Sequence, residues 1–144
     1  MGRIDRFEDL DCWKASRELR VFVTREITPQ LPVEERYRLV DQLIRAARST
    51  TANIAEGFGR RHYLDNAKFI RNSLGSQHEC LDHLITGNDE GMISDQQLAD
   101  FRVIFEKSSA LSNGYASYLA RTAKKQFPAT NNKQPSTSNP FEAF

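Results

Sequence analysis

Little in this chain invites covalent or metal chemistry. It holds two cysteines, Cys12 and Cys80, far apart and with no Cys, His or acid beside them at a ligand spacing, which points away from a disulfide framework and from zinc. Long apolar runs are missing as well: no segment approaches the roughly 18 consecutive apolar residues of a membrane span. Arg3, Asp5, Arg6, Glu8 and Asp9 open the chain with no hydrophobic stretch behind them. No secretory leader is read, and a cytoplasmic location with reduced, partly buried thiols is expected. Charge of one sign is also lacking. Lys plus Arg number 20 and Asp plus Glu 19, a formal net charge of +1, so any attraction for nucleic acid must come from a local patch.

What is present is helical periodicity, with no period-two alternation to compete with it. From Asp9 to Thr28, Cys12, Ala15, Leu19, Phe22, Val23 and Ile27 recur at three- and four-residue steps, and Pro29 ends the segment. After Pro32, the acidic turn Val33, Glu34 and Glu35 predicts the start of a second helix that runs to Phe58, with Gly57 and Gly59 closing it. A third helix is predicted from Leu64 to Thr86 on a seam of Ala67, Ile70, Leu74, Gln77, Leu81 and Leu84, followed by a turn over Gly87–Gly91. Ser94 with Gln97 reads as a capping box. It opens a fourth helix whose face is Leu98, Phe101, Phe105, Ser108, Leu111, Tyr115 and Leu119. Four helices on short connections predict an all-α, antiparallel up-down-up-down four-helix bundle over residues 1–126.

Past Gln126, Pro128, Asn131, Asn132, Pro135, Ser136, Ser138 and Pro140 predict a disordered tail over 127–144. Phe141 and Phe144 follow as a docking peptide or as a solvated extension.

Two helices carry a second face. Val40, Leu43, Ile44, Ala47, Thr51, Ile54 and Phe58 form the core side of the second helix. Arg38, Gln42, Arg45, Ser49, Ala52, Asn53 and Glu56 lie opposite, a stripe short of long side chains in its later half. On the third helix Lys68, Asn72, Gly75, Ser76, Glu79 and His83 lie away from Leu74 and Leu81. A mid-helix glycine costs about 1 kcal/mol relative to alanine, so Gly75 suggests a place where a partner helix leaves no room. Periodicity alone leaves a contact face and a solvated face both open.

The residues at these positions resemble a family of bacterial four-helix-bundle proteins first noticed in intervening sequences of large-subunit ribosomal RNA genes. The similarity covers most of the chain before the tail. Phe7, Glu8, Asp9, Leu10 and Trp13 match its opening motif, Glu35, Arg36 and Tyr37 precede the stretch from Gln42 to Ala47, and Ala52, Asn53, Ile54, Ala55, Glu56 and Gly57 form its most specific segment. Gly75, Ser76 and Glu79 match the motif of the third helix. The sequence departs from the pattern at Thr50 and Thr51, where an apolar residue and proline are usual, and at Gln77, where leucine is usual. The resemblance implies a ring-shaped homopentamer. A related branch, accessory proteins of diversity-generating retroelements, works with reverse transcriptase and nucleic acid. On this footing Arg45, Ser49, Ala52, Asn53, Glu56, Asn72, Gly75, Ser76 and Glu79 are expected at a subunit interface that meets a different surface of the next copy.

Function classes follow. Glu56 and Glu79 each have a cation within reach, and His62, His78 and His83 have no nucleophile at a defined spacing, so no catalytic residue, cofactor or small-molecule substrate is read. Glu79 and His83 form a lone i, i+4 pair, more often a surface hydrogen bond than a metal site. Arg60, Arg61, Lys68 and Arg71, interleaved with His62 and Tyr63, form a candidate nucleic-acid patch that a ring would multiply. The expectation is a non-enzymatic oligomeric binding or scaffold module. A nucleic-acid-binding accessory protein, partnering a reverse transcriptase or ribosomal RNA, is the alternative.

Overall fold

The first helix proper, α1 (Asp11–Phe22), follows a 3-10 turn over Phe7–Asp9 and tucks Leu10, Cys12, Ala15, Ser16 and Leu19 inward. Its buried residues then continue as Val23 and Ile27, in four-residue steps that overshoot a 3.6-residue turn. The chain answers with a π-helical stretch over Val23–Ile27, whose wider turn takes up the overshoot and keeps both residues in the core. A 3-10 turn at Thr28–Gln30 admits Pro29 where its missing N–H does no harm. These coordinates belong to a computed structural model that describes residues 2–126. The tail expected at 127–144, with Phe141 and Phe144, lies outside the described residues.

The second helix, α2, spans Leu39–Gly59 and starts six residues later than its acidic turn predicts. Val33–Glu35 is a separate 3-10 turn, and Arg38, at φ −121° and ψ −106°, breaks the path between the two. The acid is still used at the helix start: the Leu39 N–H donates to the Glu35 carboxylate at 3.1 Å, satisfying one of the open amides there. At the far end Arg61, at φ 53°, makes the left-handed turn that the sequence assigns to the glycines.

The third helix, α3, spans Tyr63–Asp89 and overruns its expected end by three residues, so Gly87 is a packing position rather than a turn. A Cβ there would lie 2.5 Å from Ile93 Cδ1. The turn itself is made by Gly91 at φ 78°. The fourth helix, α4, spans Asp95–Gln126. Its capping box is in place: Gln97 N–H donates to Ser94 Oγ at 3.0 Å, and Ser94 N–H to the Gln97 side chain at 2.9 Å.

Each helix packs on two neighbours, α1 on α2 and α4, and α3 on α2 and α4, in up-down-up-down order. The core falls into two apolar clusters. One gathers Leu19, Val23, Ile27, Leu43, Leu84, Phe101 and Phe105, the other Leu10, Ile54, Ala67, Ile70, Ala116 and Leu119. Between them every helix contributes polar side chains that are fully buried: Ser16, Thr50, Ser73, Gln77, Ser108 and Ser112. Ser16 and Ser108 lie 3.1 Å apart, Ser73 donates to the Thr50 carbonyl at 2.7 Å, and Gln77 donates to Ser73 at 3.1 Å and Ser112 at 3.2 Å. Thr50 and Gln77, two of the departures from the family pattern, meet in this polar layer.

The layer also corrects the expected seams. On α3, Ser73 and Cys80 are buried where Leu74 and Leu81 were expected and are only half-buried; on α4, Ser112 and Ala116 take the places of Leu111 and Tyr115. On α2, Ala46 and Thr50 are buried while Val40, Ile44 and Phe58 are partly exposed. Both cysteines are free and buried, one in each apolar cluster, and burial pushes each thiol up to about 12. Among the described residues no helix is long and apolar enough to cross a membrane.

Candidate functional site

The outer faces of α2 and α3 run side by side, and their residues divide into two kinds. Ser49, Asn53 and Ser76 are half-buried and close the seam between the helices. Ser49 Oγ and Ser76 Oγ lie 2.8 Å apart, and Asn53 Nδ2 donates to both the Ser49 carbonyl and its hydroxyl at 2.9 Å. These three have contacts within the chain that account for them. Arg45, Ala52, Glu56, Asn72, Gly75 and Glu79 are exposed. Arg45 pairs with Asp41 at 3.1 Å, Glu56 with Arg60 at 3.2 Å, and Glu79 with His83 at 3.3 Å. Ala52, Asn72 and Gly75 are the uncharged residues among them, on either side of the Ser49–Asn53–Ser76 seam.

Gly75 differs from two other helical glycines. A Cβ at Gly57 would come within 2.7 Å of Phe69 Cβ and 2.8 Å of the Asn66 side chain, so the crossing of α2 and α3 needs glycine there. A Cβ at Gly75 would meet nothing within 4 Å. Among the described residues no neighbour explains a glycine in the middle of this 27-residue helix, and the same holds for exposed Gly114 within α4.

The basic patch sits where α2 turns into α3. Arg60 is partly engaged, pairing with Glu56 and lying over the Phe69 ring at 5.2 Å. Arg61, Lys68 and Arg71 are exposed, with no carboxylate within 4 Å among the described residues. The two rings expected to interleave with them are otherwise occupied. His62 Nδ1 accepts from the Asp65 N–H at 3.3 Å as the cap of α3, and Tyr63 packs on the second apolar cluster.

Sequence reading missed a further part of this surface. Asn66 donates to Tyr115 Oη at 3.2 Å, and Ala116 and Leu119 share a cluster with Ala67 and Ile70. That antiparallel register carries the last turns of α4, with exposed Arg121, Lys124 and Lys125, to the same end of the bundle. Some fifty residues of chain separate the two groups, so only the topology could reveal them as neighbours. The remaining titratable groups do not converge: among the described residues no three His, Cys, Asp or Glu side chains are grouped to hold a metal. His78 packs edge-on against Phe105 at 5.0 Å.

The profile of a family described as 23S rRNA-intervening sequence protein fits residues 8–114, a span that takes in all of α1, α2 and α3 and the first two-thirds of α4. No curated individual protein matches the chain.

Proposed function

Because the chain belongs to the 23S rRNA-intervening sequence protein family, we propose that it is a non-catalytic homo-oligomeric binding module, assembled through the outer faces of α2 and α3. Gly75 carries this reading. A glycine there gives up about 1 kcal/mol of helix stability, and no neighbour among the described residues requires it; Gly114 on α4 shares that property, and it is the match of Gly75, Ser76 and Glu79 to the family's third-helix motif that sets Gly75 apart. A second copy packed against Ala52, Asn72 and Gly75 would require a glycine there. The pairs Arg45–Asp41, Glu56–Arg60 and Glu79–His83 form a polar rim around those residues, the usual anatomy of a specific contact. A heterologous contact of this kind gives a ring when its rotation closes and a filament when it does not; a closed ring of five copies is what the family resemblance implies. Light scattering on the purified chain tests the reading: a mass several times that of one chain is expected, and a monomer at micromolar concentration refutes it.

A second reading is favoured by the basic end. Arg60, Arg61 and Lys68 with Arg121, Lys124 and Lys125 give one pole of the bundle a surface suited to a phosphate backbone, and a ring would repeat it on each copy. Charge reversal at Arg61 and Lys68 should abolish binding to single-stranded RNA and flatten its salt dependence. Binding that survives the change, or that ignores salt, rules this surface out.

A further inference from the structure

On the flank of α2 away from α3, a groove opens against α1. Phe7, Trp13, Arg20 and Thr24 line one side and Arg48, Thr51, Ala52 and Ala55 the other, around a shallow depression that is largely open to solvent. Its chemistry is lopsided. Two guanidinium groups line it and no acid does. Neither Arg20 nor Arg48 has a carboxylate within 4 Å among the described residues. Arg20 is half-buried and makes one side-chain hydrogen bond, from Nη1 to Thr51 Oγ1 at 2.7 Å, while a guanidinium carries several N–H donors. Thr51, itself buried, holds that side chain in place from across the groove. Beside the cations stand two rings, Phe7 and Trp13, edge to face at 5.5 Å.

We propose that this groove binds a phosphate monoester carried on an aromatic or apolar body. The phosphate would lie between Arg20 and Arg48, and the body against Trp13, Phe7 and the methyl groups of Ala52 and Ala55. The charge count selects the anion. A carboxylate carries one charge and is filled by a single guanidinium fork. A monoester carries about −1.5 to −2 at neutral pH and three acceptor oxygens, matching two arginines that have no acid to neutralise them. The rings select the body, since inorganic phosphate would leave half the groove wall in water. The site shares Ala52 with the proposed assembly face, while Arg20, Arg48, Phe7 and Trp13 lie outside that face.

The chain reports on this groove directly, because Trp13 is its one tryptophan. Phenyl phosphate added to the full chain should shift Trp13 fluorescence along a saturable curve. Inorganic phosphate and benzoate should each bind more weakly, on the order of tenfold. Arg48 is exposed, so Arg48→Gln should keep the wild-type melting temperature and mass, yet weaken phenyl phosphate on the order of tenfold. No saturable response up to about 10 mM, well below the affinity of a specific site, overturns the proposal. So does an Arg48→Gln variant that binds as wild type, or benzoate binding as tightly as phenyl phosphate. A short single-stranded oligonucleotide that displaces phenyl phosphate at lower concentration would reassign the groove to a polynucleotide strand and overturn the monoester.

Discussion

The inner and outer sides of the α2–α3 pair use the same kinds of residue for different ends. Inside, most small or polar residues have a neighbour that explains them, although Gln77 Oε1 and Asn66 Oδ1 are buried without a hydrogen-bond partner among the described residues. Gly57 lets the two helices cross, Ser73 ties α3 to the Thr50 carbonyl, and Gln77 faces hydroxyls from α3 and α4. Outside, Ser49, Asn53 and Ser76 are explained by one another, whereas Ala52, Asn72 and Gly75 are exposed among the described residues. An inner glycine is a packing requirement of the fold. An outer one with open space around it, Gly75 on α3 or Gly114 on α4, costs helix stability that no neighbour among the described residues accounts for.

Four changes would break or sharpen this contrast. The largest effect should come from ionising the inner thiols. Burial raises the folded pKa of Cys12 and Cys80 above the ordinary thiol value to about 12. The stability this gives is present in full below the unfolded pKa near 9, and is lost as pH climbs from there toward about 12. Circular dichroism across that window should show helix loss, and replacing both cysteines with alanine should blunt it. Next is Gly57→Ala, which sets a methyl group 2.7 Å from Phe69 Cβ and should destabilise by about 1–3 kcal/mol in a denaturant titration. Ser73→Ala, which removes the buried bonds to the Thr50 carbonyl and from Gln77, should cost about 1–3 kcal/mol. Ser76→Ala, on the outer seam, should stay within about 0.5 kcal/mol. An equal cost at Ser73 and Ser76 would erase the distinction between the two sides.

The sequence made some of this legible and hid the rest for physical reasons. Helix number, order and the Ser94–Gln97 cap follow from periodicity and local hydrogen bonding, which short spans of chain determine. The rotation of α3 escapes a reading in which hydrophobicity marks the core. Leu74 and Leu81 sit at its margin, while Ser73 and Gln77 are buried through bonds to other helices that no single-helix pattern contains. The start of α2 was misplaced because acids after a proline suit a first helical turn, whereas here Glu35 caps the helix from a separate turn. Of the candidate interface, Arg45, Ala52, Glu56, Asn72, Gly75 and Glu79 do face outward; Ser49, Asn53 and Ser76 belong first to the seam within the chain. Arg121, Lys124 and Lys125 at the basic pole, and Arg20 with Arg48 in the α1–α2 groove, come together only through antiparallel packing.

Gly75 is where the whole account can fail. On a solvated helix face, Gly75→Ala should raise stability by about 1 kcal/mol through helix propensity alone, and Gly75→Leu should leave the mass of the particle unchanged. At a close contact between copies, the leucine adds about four heavy atoms where there is no room. Sedimentation equilibrium of wild-type chain and Gly75→Leu, side by side at micromolar concentration, separates the two. The account predicts an oligomeric wild type and a variant shifted to monomer with its helical spectrum intact. Wild-type and variant particles of the same mass would contradict it.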